Sequence, residues 1–334
     1  RLLDINTYCG ETLFCPVPRL VPVEWSCAKL LCLSFLTFLK EYVIVSGASG
    51  FIGKHLLEAL KKSGISVVAI TRDVIKNNSN ALANVRWCSW DNIELLVEEL
   101  SIDSALIGII HLATEYGHKT SSLINIEDAN VIKPLKLLDL AIKYRADIFL
   151  NTDSFFAKKD FNYQHMRPYI ITKRHFDEIG HYYANMHDIS FVNMRLEHVY
   201  GPGDGENKFI PYIIDCLNKK QSCVKCTTGE QIRDFIFVDD VVNAYLTILE
   251  NRKEVPSYTE YQVGTGAGVS LKDFLVYLQN TMMPGSSSIF EFGAIEQRDN
   301  EIMFSVANNK NLKAMGWKPN FDYKKGIEEL LKRL

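Results

Sequence analysis

A tyrosine and a lysine four residues apart, Tyr169 and Lys173, are the side chains of this sequence best suited to acid–base chemistry. Residues at positions i and i+4 share one face of a helix. A phenol with its ordinary pKa of about 10 is a poor acid–base group at neutral pH, but a neighbouring ammonium group lowers that pKa by stabilising the phenolate. The spacing therefore predicts a phenol that transfers a proton with help from Lys173. The same spacing also occurs by chance on solvated helices, so the surrounding elements decide its meaning.

Hydroxyl groups follow a short apolar run upstream of this pair. Residues 148–150 have the pattern of a buried strand, and the sequence Asn151, Thr152, Asp153, Ser154 comes directly after it. Ligands of open α/β folds bind at the carboxyl ends of the strands. This strand end therefore lies at the predicted ligand-binding edge of the sheet. Thr152 and Ser154, two residues apart on it, are the candidate hydroxyl groups near a bound ligand.

A glycine-rich turn of the form GxxGxxG follows an apolar, β-branched run at residues 42–46 and opens a helical pattern that ends near residue 62. In this setting the first glycine permits a tight turn, the second lets the backbone approach a pyrophosphate, and the third lets the helix pack closely on the sheet. The helix N-terminus then stabilises the phosphates. A strand–helix turn without a ligand is the alternative interpretation. The predicted contacts to a dinucleotide come from Gly47, Gly50, Phe51, Ile52 and Gly53.

The end of the second predicted strand, residues 65–70, bears on which dinucleotide binds. It is followed by Thr71, Arg72 and Asp73. An acidic residue at this position binds the ribose hydroxyls of NAD, whereas an arginine pairs with the 2′-phosphate of NADP. Arg72 favours NADP(H) as the cofactor, and the adjacent Asp73 favours NAD.

Strands and helices alternate along the chain from Lys40 onward. Further strands are predicted at residues 106–112 and 189–194, and helices at 93–100, 129–144 and 168–185. Alternation of this kind implies right-handed crossovers and a parallel sheet covered on both faces. The predicted fold class is therefore α/β, a Rossmann-like doubly wound parallel sheet.

Several spaced motifs give the chain a family resemblance. The residues GASGFIG at 47–53, His111-Leu112-Ala113, Asn130, and Tyr169 with Lys173 resemble the extended short-chain dehydrogenase/reductase family. The downstream stretches RLEHVYGPGD, GEQIRDFIFVDD, VGTG and MGWKP agree with it in order and spacing. The resemblance extends from about Lys40 to Leu334 and implies a dinucleotide-binding domain followed by a smaller C-terminal α/β domain that holds a nucleotide-sugar.

The resemblance also implies domain limits and residue roles. The NADP-binding domain would span residues 36–195 with part of 230–265 returning to it, and the nucleotide-sugar domain residues 196–229 and 266–334. Thr152, Tyr169 and Lys173 match the catalytic hydroxyl, tyrosine and lysine. Lys173, Leu112, Ala113 and Asp91 would contact the cofactor, with a helix cap as the alternative for Asp91. Arg233 and Arg298 match positions that meet the substrate diphosphate, with ion pairing as their alternative, and the chain would form a homodimer through helices.

Three reactions are known for such enzymes: 4,6-dehydration, 4-epimerisation and reduction of a 4-keto sugar. The resemblance implies Thr-Asp-Glu at this strand end in a dehydratase. This chain has Thr152, Asp153 and Ser154 there. The missing glutamate weighs against elimination. A cofactor that is released after each turnover fits a net reduction, so we expect an NADPH-dependent nucleotide-sugar 4-ketoreductase. A non-catalytic NADP-sensing protein of the same fold is the alternative from another class, although such proteins commonly lose the tyrosine that is present here.

Composition excludes several other classes. The 334 residues carry 37 basic and 40 acidic side chains, and this balance argues against nucleic acid as a partner. No run of 18 apolar residues predicts a membrane span. The eight cysteines form no disulfide framework and the histidines show no metal-ligand spacing, so we expect a cytoplasmic protein without a metal. Residues 1–35 lack a clean periodicity, and we expect them to be an extension outside the fold.

Overall fold

The computed structural model describes residues 40–78, 84–117 and 122–334. Lys40–Leu334 forms one compact unit. The expected extension at residues 1–35 lies outside the described residues. No helix within these described ranges is long and apolar enough to cross a membrane.

The described residues contain fourteen strands and eleven α-helices. The strands are β1 Lys40–Ser46, β2 Ser66–Ile70, β3 Val85–Cys88, β4 Ser104–His111, β5 Ile148–Ser154, β6 Ser190–Leu196, β7 His198–Tyr200, β8 Val224–Cys226, β9 Ile232–Arg233, β10 Phe235–Phe237, β11 Tyr258–Val263, β12 Val269–Ser270, β13 Phe290–Phe292 and β14 Phe304–Ser305. The helices are α1 Phe51–Lys62, α2 Val74–Asn78, α3 Ile93–Leu100, α4 Leu123–Glu127, α5 Lys133–Lys143, α6 Arg167–Met186, α7 Phe209–Asn218, α8 Val238–Glu250, α9 Leu271–Met282, α10 Lys310–Ala314 and α11 Tyr323–Lys332.

The central sheet has seven parallel strands in the order β3-β2-β1-β4-β5-β6-β11. The order reverses direction between β1 and β4, and ligands of such sheets bind at the carboxyl ends of the strands at this switch point. The predicted Rossmann-like doubly wound sheet is therefore confirmed. The structure adds β3 and β11, two strands that the sequence patterns did not separate from loops.

Apolar layers cover both faces of this sheet, as a parallel sheet requires. One layer joins the sheet to α1 and α8, with Leu57 and Tyr245 among its buried side chains. The other joins it to α3, α5 and α6, with Leu138 and Phe176 among its members. Burial on both faces explains why the strand residues form continuous apolar runs rather than alternating patterns.

A smaller group of elements follows β6. Strands β12, β9 and β14 form a three-stranded sheet in that order, and Arg233 of β9 is the register partner of Ser305 of β14. A separate apolar cluster, which includes Ile213, Phe274 and Ile327, packs beneath them. This arrangement brings β9 and β14 together although about 70 residues of sequence separate them.

The predicted helix at residues 129–144 is interrupted in the structure. A π-helical segment, Asp128–Ile132, separates α4 from α5. Such segments insert one residue into a helix and occur frequently at functional sites. The buried Asn130 lies in this segment and binds the loop after β4: its amide oxygen accepts from the Glu115 N–H at 2.8 Å and its NH₂ donates to the Thr172 hydroxyl at 2.9 Å.

Asp240 lies in the first turn of α8, and its position after an apolar run would suit a helix cap, but the N-cap of α8 is Phe237. The fully buried Asp240 carboxylate instead accepts from the backbone N–H groups of Asn320 and Phe321 at 2.9 and 3.0 Å. The indole of Trp317 donates to the Asp240 carbonyl at 3.0 Å, so this aspartate anchors the C-terminal turn.

Candidate active site

The glycine turn adopts the conformation that its sequence predicts. Gly47 has φ +69, and a Cβ at this position would lie 2.5 Å from the Ala113 nitrogen. A Cβ at Gly53 would lie 2.3 Å from the Gly47 carbonyl oxygen, so close packing of the turn against α1 also requires glycine there. Gly50 is the N-cap of α1 and no side chain caps this helix. The uncapped N–H groups at Phe51 and Ile52 leave a helix N-terminus suited to a dinucleotide pyrophosphate.

The neighbouring strand ends complete the predicted cofactor edge. Leu112 donates its N–H to the Ser46 carbonyl at 3.1 Å, and this bond holds Leu112 and Ala113 beside the glycine turn. Arg72 follows β2 and is exposed. The Asp73 carboxylate accepts from the Lys76 N–H at 2.9 Å and so belongs to the local turn. Asp91 is exposed after β3, and the N-cap of α3 is Asn92 rather than Asp91.

Tyr169 and Lys173 lie on the same buried face of α6, near the carboxyl end of β5. Tyr169 is 4% exposed and Lys173 is 2% exposed. Burial raises the pKa of the Tyr169 phenol well above its ordinary value, Tyr116 and Asp153 act in the same direction, and a hydrogen bond with Ser154 opposes them. The expectation that the pKa of this phenol is lowered towards neutral pH is therefore wrong, because burial dominates. The phenol is neutral and carries the proton that a general acid must donate.

The Lys173 ammonium lies beneath the phenol. Its Nζ donates to the Thr152 carbonyl oxygen at 2.7 Å and lies 5.8 Å from the centre of the Tyr169 ring. Burial lowers the pKa of Lys173 to about 8, and the charge of Asp153 opposes that effect. An ammonium with this pKa is close to its titration range at physiological pH, so small changes in the surrounding charge alter its protonation.

The two candidate hydroxyls point to different partners. The Thr152 hydroxyl pairs with the Tyr245 hydroxyl of α8 at 2.6 Å, on the apolar side of the sheet. The Ser154 hydroxyl, two residues further along β5, accepts from the Phe156 N–H at 3.4 Å, and Ser154 acts to lower the pKa of the Tyr169 phenol. The Thr152 hydroxyl is therefore engaged with Tyr245, and Ser154 is the one of the two that acts on the pKa of the phenol. Thr152 contributes its backbone carbonyl, which holds Lys173.

An aromatic side chain that the sequence analysis missed covers the phenol. The ring of Tyr116, in the loop after β4, stacks on Tyr169 with a centroid distance of 5.1 Å and an interplanar angle of 30°. Lys208 is the N-cap of α7, and its ammonium lies 3.8 Å from the centre of the Tyr116 ring. Nothing in the spacing of Tyr116 marks it in the sequence, because the contact depends on the path of a loop.

The two predicted phosphate-binding arginines approach the site from the smaller group of elements. Arg233 is 5% exposed and pairs with Glu301 at 2.8 Å. Exposed Arg298 donates to the Tyr163 hydroxyl at 3.0 Å. Burial lowers the pKa of Arg233, while Glu301 raises it. A guanidinium held in this way can exchange one anionic partner for another, which suits the binding of a phosphate.

A buried ion pair that the sequence analysis also missed joins the two parts of the site. Lys158, after β5, contacts the Glu197 carboxylate at 2.5 Å and the Ser305 hydroxyl at 3.2 Å. Glu197 also accepts from Ser305 at 2.8 Å. Ser305 is the register partner of Arg233, so this pair fixes the end of β5 against the strand that carries Arg233.

These features define an enzyme-like site: a glycine turn for a dinucleotide beside a buried tyrosine–lysine pair. Residues 43–264 match the model of the NAD dependent epimerase/dehydratase family, and the chain belongs to this family. It is 37% identical over 291 residues to CDP-abequose synthase of Salmonella muenchen, which covers 86% of this chain and 96% of that protein. It is 24% identical over 304 residues to a putative UDP-glucose 4-epimerase of Methanocaldococcus jannaschii, covering 86% and 97% of the two chains.

Solved structures share the fold at lower identity. UDP-glucuronic acid 4-epimerase from Bacillus cereus, in complex with UDP-glucuronic acid and NAD, superposes with a TM-score of 0.73 at 20% identity and covers 87% of this chain and 98% of its own. The Bordetella bronchiseptica enzyme WbmF, in complex with NADH, also gives 0.73 at 20% identity, covering 89% and 92%. Both likenesses concern the fold, and both neighbours hold a nicotinamide dinucleotide.

Proposed function

We propose that this protein is an NADPH-dependent nucleotide-sugar reductase that converts CDP-4-dehydro-3,6-dideoxyglucose to CDP-abequose. The similarity to CDP-abequose synthase over 86% of the chain is the observation that carries this proposal. The neutral, buried Tyr169 beside Lys173 supports reduction, because a ketone that accepts hydride must also receive a proton. The product would be a sugar precursor for lipopolysaccharide O-antigen, made in the cytoplasm.

The residues of the site divide the chemistry among them. A bound nicotinamide would supply the hydride. Tyr169 donates its proton to the oxygen of the ketone as negative charge develops there. Ser154, which acts on the pKa of the Tyr169 phenol, would stabilise the same oxygen with a second hydrogen bond. Lys173, held by the Thr152 carbonyl, binds the nicotinamide ribose and stabilises the phenolate that remains.

The position of Asp153 favours reduction over dehydration. An elimination needs additional acid–base groups that face the substrate. The Asp153 carboxylate is 2% exposed and bonds to Arg195 and Asn193 on the opposite side of β5 from Ser154. The next residue is Ser154, at the position where a dehydratase would have a glutamate. A strand end with these two features lacks an exposed acid for elimination.

Two alternatives use the same site. CDP-paratose synthase would deliver hydride to the other face of the same ketone, and a 4-epimerase or another 4-keto-6-deoxysugar reductase would use the same tyrosine. The epimerase alternative draws support from the putative UDP-glucose 4-epimerase relative. A non-catalytic NADP-sensing protein has no need of the buried Tyr169–Lys173 pair, and we therefore place it last.

Product analysis separates these alternatives. The protein should oxidise NADPH when CDP-4-dehydro-3,6-dideoxyglucose is supplied, and NMR of the product should show the C4 configuration of abequose. A parallel reaction without the keto-sugar measures background oxidation of NADPH. The paratose configuration would assign the protein to the second alternative. Conversion of a 4-hydroxy sugar to its epimer without net loss of NADPH would show that the reductase assignment is wrong.

The exposed guanidinium of Arg72 supports NADPH as the cofactor, because Asp73 is engaged in the turn before α2. A charge-assisted contact with the 2′-phosphate contributes about 1.5–3 kcal/mol, or roughly ten- to a hundredfold in affinity. Arg72→Ala should raise the KM for NADPH by this factor and leave the KM for NADH nearly unchanged.

Arg86 offers a matched control for this prediction. It is also a surface arginine near the second strand, but its guanidinium pairs with Glu99 at 3.1 Å. Arg86→Ala should leave the KM for both cofactors unchanged. If the unaltered protein uses NADH and NADPH equally well, Arg72 has no role in cofactor choice.

We also propose that Arg233 and Arg298 bind the substrate diphosphate. Both converge on the segment around Glu301 and Tyr163, and Arg233 is linked to the end of β5 through Ser305. Glu301 pairs with the guanidinium of Arg233 at 2.8 Å. A diphosphate would replace one anionic contact by another at that position, while Arg298 remains exposed for a second phosphate.

An apolar surface on the helices supports a homodimer. Ile171, Tyr182 and Met186 are exposed and stand 11 and 4 residues apart on α6, a spacing that places them on one helical face. Ile124 and Ile132 of the preceding helical segment are exposed as well. Exposed apolar patches of this kind favour association with another surface. Light scattering should give the mass of two chains.

A further inference from the structure

A row of buried polar side chains crosses the central sheet beneath α6. Ser46, His111, Asn151 and Asn193 are register neighbours on β1, β4, β5 and β6, and each is at most 1% exposed. The Ser46 hydroxyl pairs with His111 Nδ1 at 2.7 Å, and the Asn151 NH₂ donates to the Asn193 amide oxygen at 2.7 Å. Polar groups buried in an apolar layer are costly, so a row of them calls for a role.

Asp153 is the anionic member of this network. Its Oδ2 accepts from the Asn193 NH₂ at 3.0 Å and from Arg195 Nε at 2.8 Å. Arg195 pairs in turn with Glu260 at 2.6 Å. Two carboxylates thus share one guanidinium, which leaves one net negative charge in the buried network.

The second carboxylate oxygen of Asp153 is not used by these bonds. Among the described residues, Asp153 Oδ1 is a fully buried atom without a hydrogen-bond partner, and so are Asn151 Oδ1 and His111 Nε2. All three belong to side chains on the face of the sheet that α6 covers, where Lys173 is 2% exposed. The unsatisfied oxygen of a buried carboxylate is a strong source of negative potential, because the surrounding medium screens it weakly.

Lys173 is the cation that this potential reaches. Its Nζ bonds to the neutral Thr152 carbonyl, so no carboxylate neutralises it by direct contact within the described ion pairs. Among the charged groups that act on Lys173, Asp153 is the one that favours its protonated form. The charge of Asp153 also disfavours loss of the Tyr169 proton.

We propose that Asp153 is a positioning residue that serves as the buried counter-charge of the Tyr169–Lys173 pair and keeps both groups protonated at physiological pH. This inference rests on the catalytic role proposed for that pair. Asp153 would not be an acid that faces the substrate. Its carboxylate lies on the face of the sheet that α6 covers, and it acts on Lys173 through the electrostatic potential.

The sign of the effect follows from the groups that surround the pair. Removing the Asp153 charge leaves Lys173 with burial alone, and burial lowers its pKa below the present value of about 8. It also removes one cause of the raised pKa of Tyr169. Both groups would then lose their protons at lower pH. The other titratable or charged side chains around the pair are His111 of β4, which burial keeps neutral, Arg195 of β6, Asp177 of α6 with a pKa of about 6, Tyr116 of the loop after β4, Tyr245 of α8 and Glu260 of β11.

The test is the pH profile of kcat/KM with NADPH and the keto-sugar. Asp153→Asn should move the basic limb of the profile down by about one pH unit, the lower end of the shift that a nearby opposite charge produces. At a pH above the basic limbs of both the parent and the variant, this shift corresponds to about a tenfold loss of kcat/KM. A uniform loss at every pH, with the limb unmoved, would show that Asp153 has only a structural role.

Two further variants separate charge from folding. Glu260→Gln removes the more solvent-screened carboxylate of the same network, beyond Arg195, and the limb should move less than in Asp153→Asn. The double variant Asp153→Asn/Asn193→Asp exchanges the amide and the carboxylate, keeps the hydrogen-bonding groups of the row, and moves the charge one strand away from Lys173. Its limb should remain below that of the parent. A return to the parental limb would overturn the proposal, and this variant carries the test if Asp153→Asn fails to fold.

A second measurement does not depend on the reaction. The protein can be labelled with ¹³C at the lysine ε-carbon and titrated without substrate, with the Lys173 signal assigned by its absence in Lys173→Arg. The midpoint of that signal should fall in Asp153→Asn. An unchanged midpoint would refute the counter-charge even if the enzyme reduces the keto-sugar. A lowered midpoint in a protein that reduces no keto-sugar would refute the proposed function and leave the counter-charge in place.

Discussion

Tyr169→Phe should lower kcat by about 10²–10⁴, the range that general acid catalysis supplies. The substitution removes one hydroxyl from a ring that is 4% exposed and packs between Tyr116 and the apolar cluster around Phe155. The ring itself remains, so the fold and the affinity for NADPH should persist. The measurement is single-turnover reduction of the keto-sugar, in which hydride transfer is observed directly.

Tyr183→Phe is the matched control for this result. Tyr183 lies on the same helix, and its hydroxyl donates to Asp139 at 3.1 Å on the surface. Loss of this exposed hydroxyl should leave kcat within a factor of about two, since exposed contacts contribute little. Full activity of Tyr169→Phe in single-turnover experiments would mean that Ser154 or a water molecule is the acid.

Gly47→Ala should abolish tight cofactor binding and lower stability. Gly47 has φ +69, and a methyl group there would lie 2.5 Å from the Ala113 nitrogen and 2.8 Å from the Leu112 carbonyl carbon. These are backbone atoms, so the loop after β4 must move, and the same loop stands beside the predicted cofactor. We expect the Kd for NADPH, measured by calorimetry, to rise by at least about tenfold, which corresponds to about 1.4 kcal/mol.

Gly64→Ala isolates the conformational part of that effect. Gly64 has φ +74, and a Cβ there meets nothing within 4 Å. Its substitution should lower the free energy of unfolding by about 1–2 kcal/mol, because a residue other than glycine is strained in the left-handed region. The Kd for NADPH should stay unchanged. Equal losses of NADPH affinity in the two variants would show that the contact with Ala113 is unimportant.

The sequence predicted the parts of this molecule that local patterns control. The order of strands and helices follows from apolar runs and breakers, and α3 at Ile93–Leu100 coincides with its predicted range. The glycine turn was recognisable because its spacing reflects a backbone requirement that Gly47 and Gly53 satisfy. The spacing of Tyr169 and Lys173 placed them on one face, and the structure adds that this face is buried.

The parts that were missed depend on contacts between distant segments. Thr152 and Ser154 lie on the same face of one strand, and only the position of Tyr245 on α8 shows which hydroxyl is already engaged. The stack of Tyr116 on Tyr169 and the pair of Lys158 with Glu197 join segments more than 30 residues apart. The pKa of Tyr169 likewise depends on its burial, which i,i+4 spacing alone does not indicate.

The π-helical segment at Asp128–Ile132 has a consequence for engineering. A regular α-helix would give this stretch better backbone geometry, so deleting one residue there is an obvious way to seek a more heat-resistant protein. The deletion would turn Asn130 by about 100° around the helix axis and separate its amide from Glu115 and from Thr172, the neighbour of Lys173. Selection for thermal tolerance alone would favour the shortened helix and lose the alignment of the loop with Lys173, so a screen on this scaffold must include turnover.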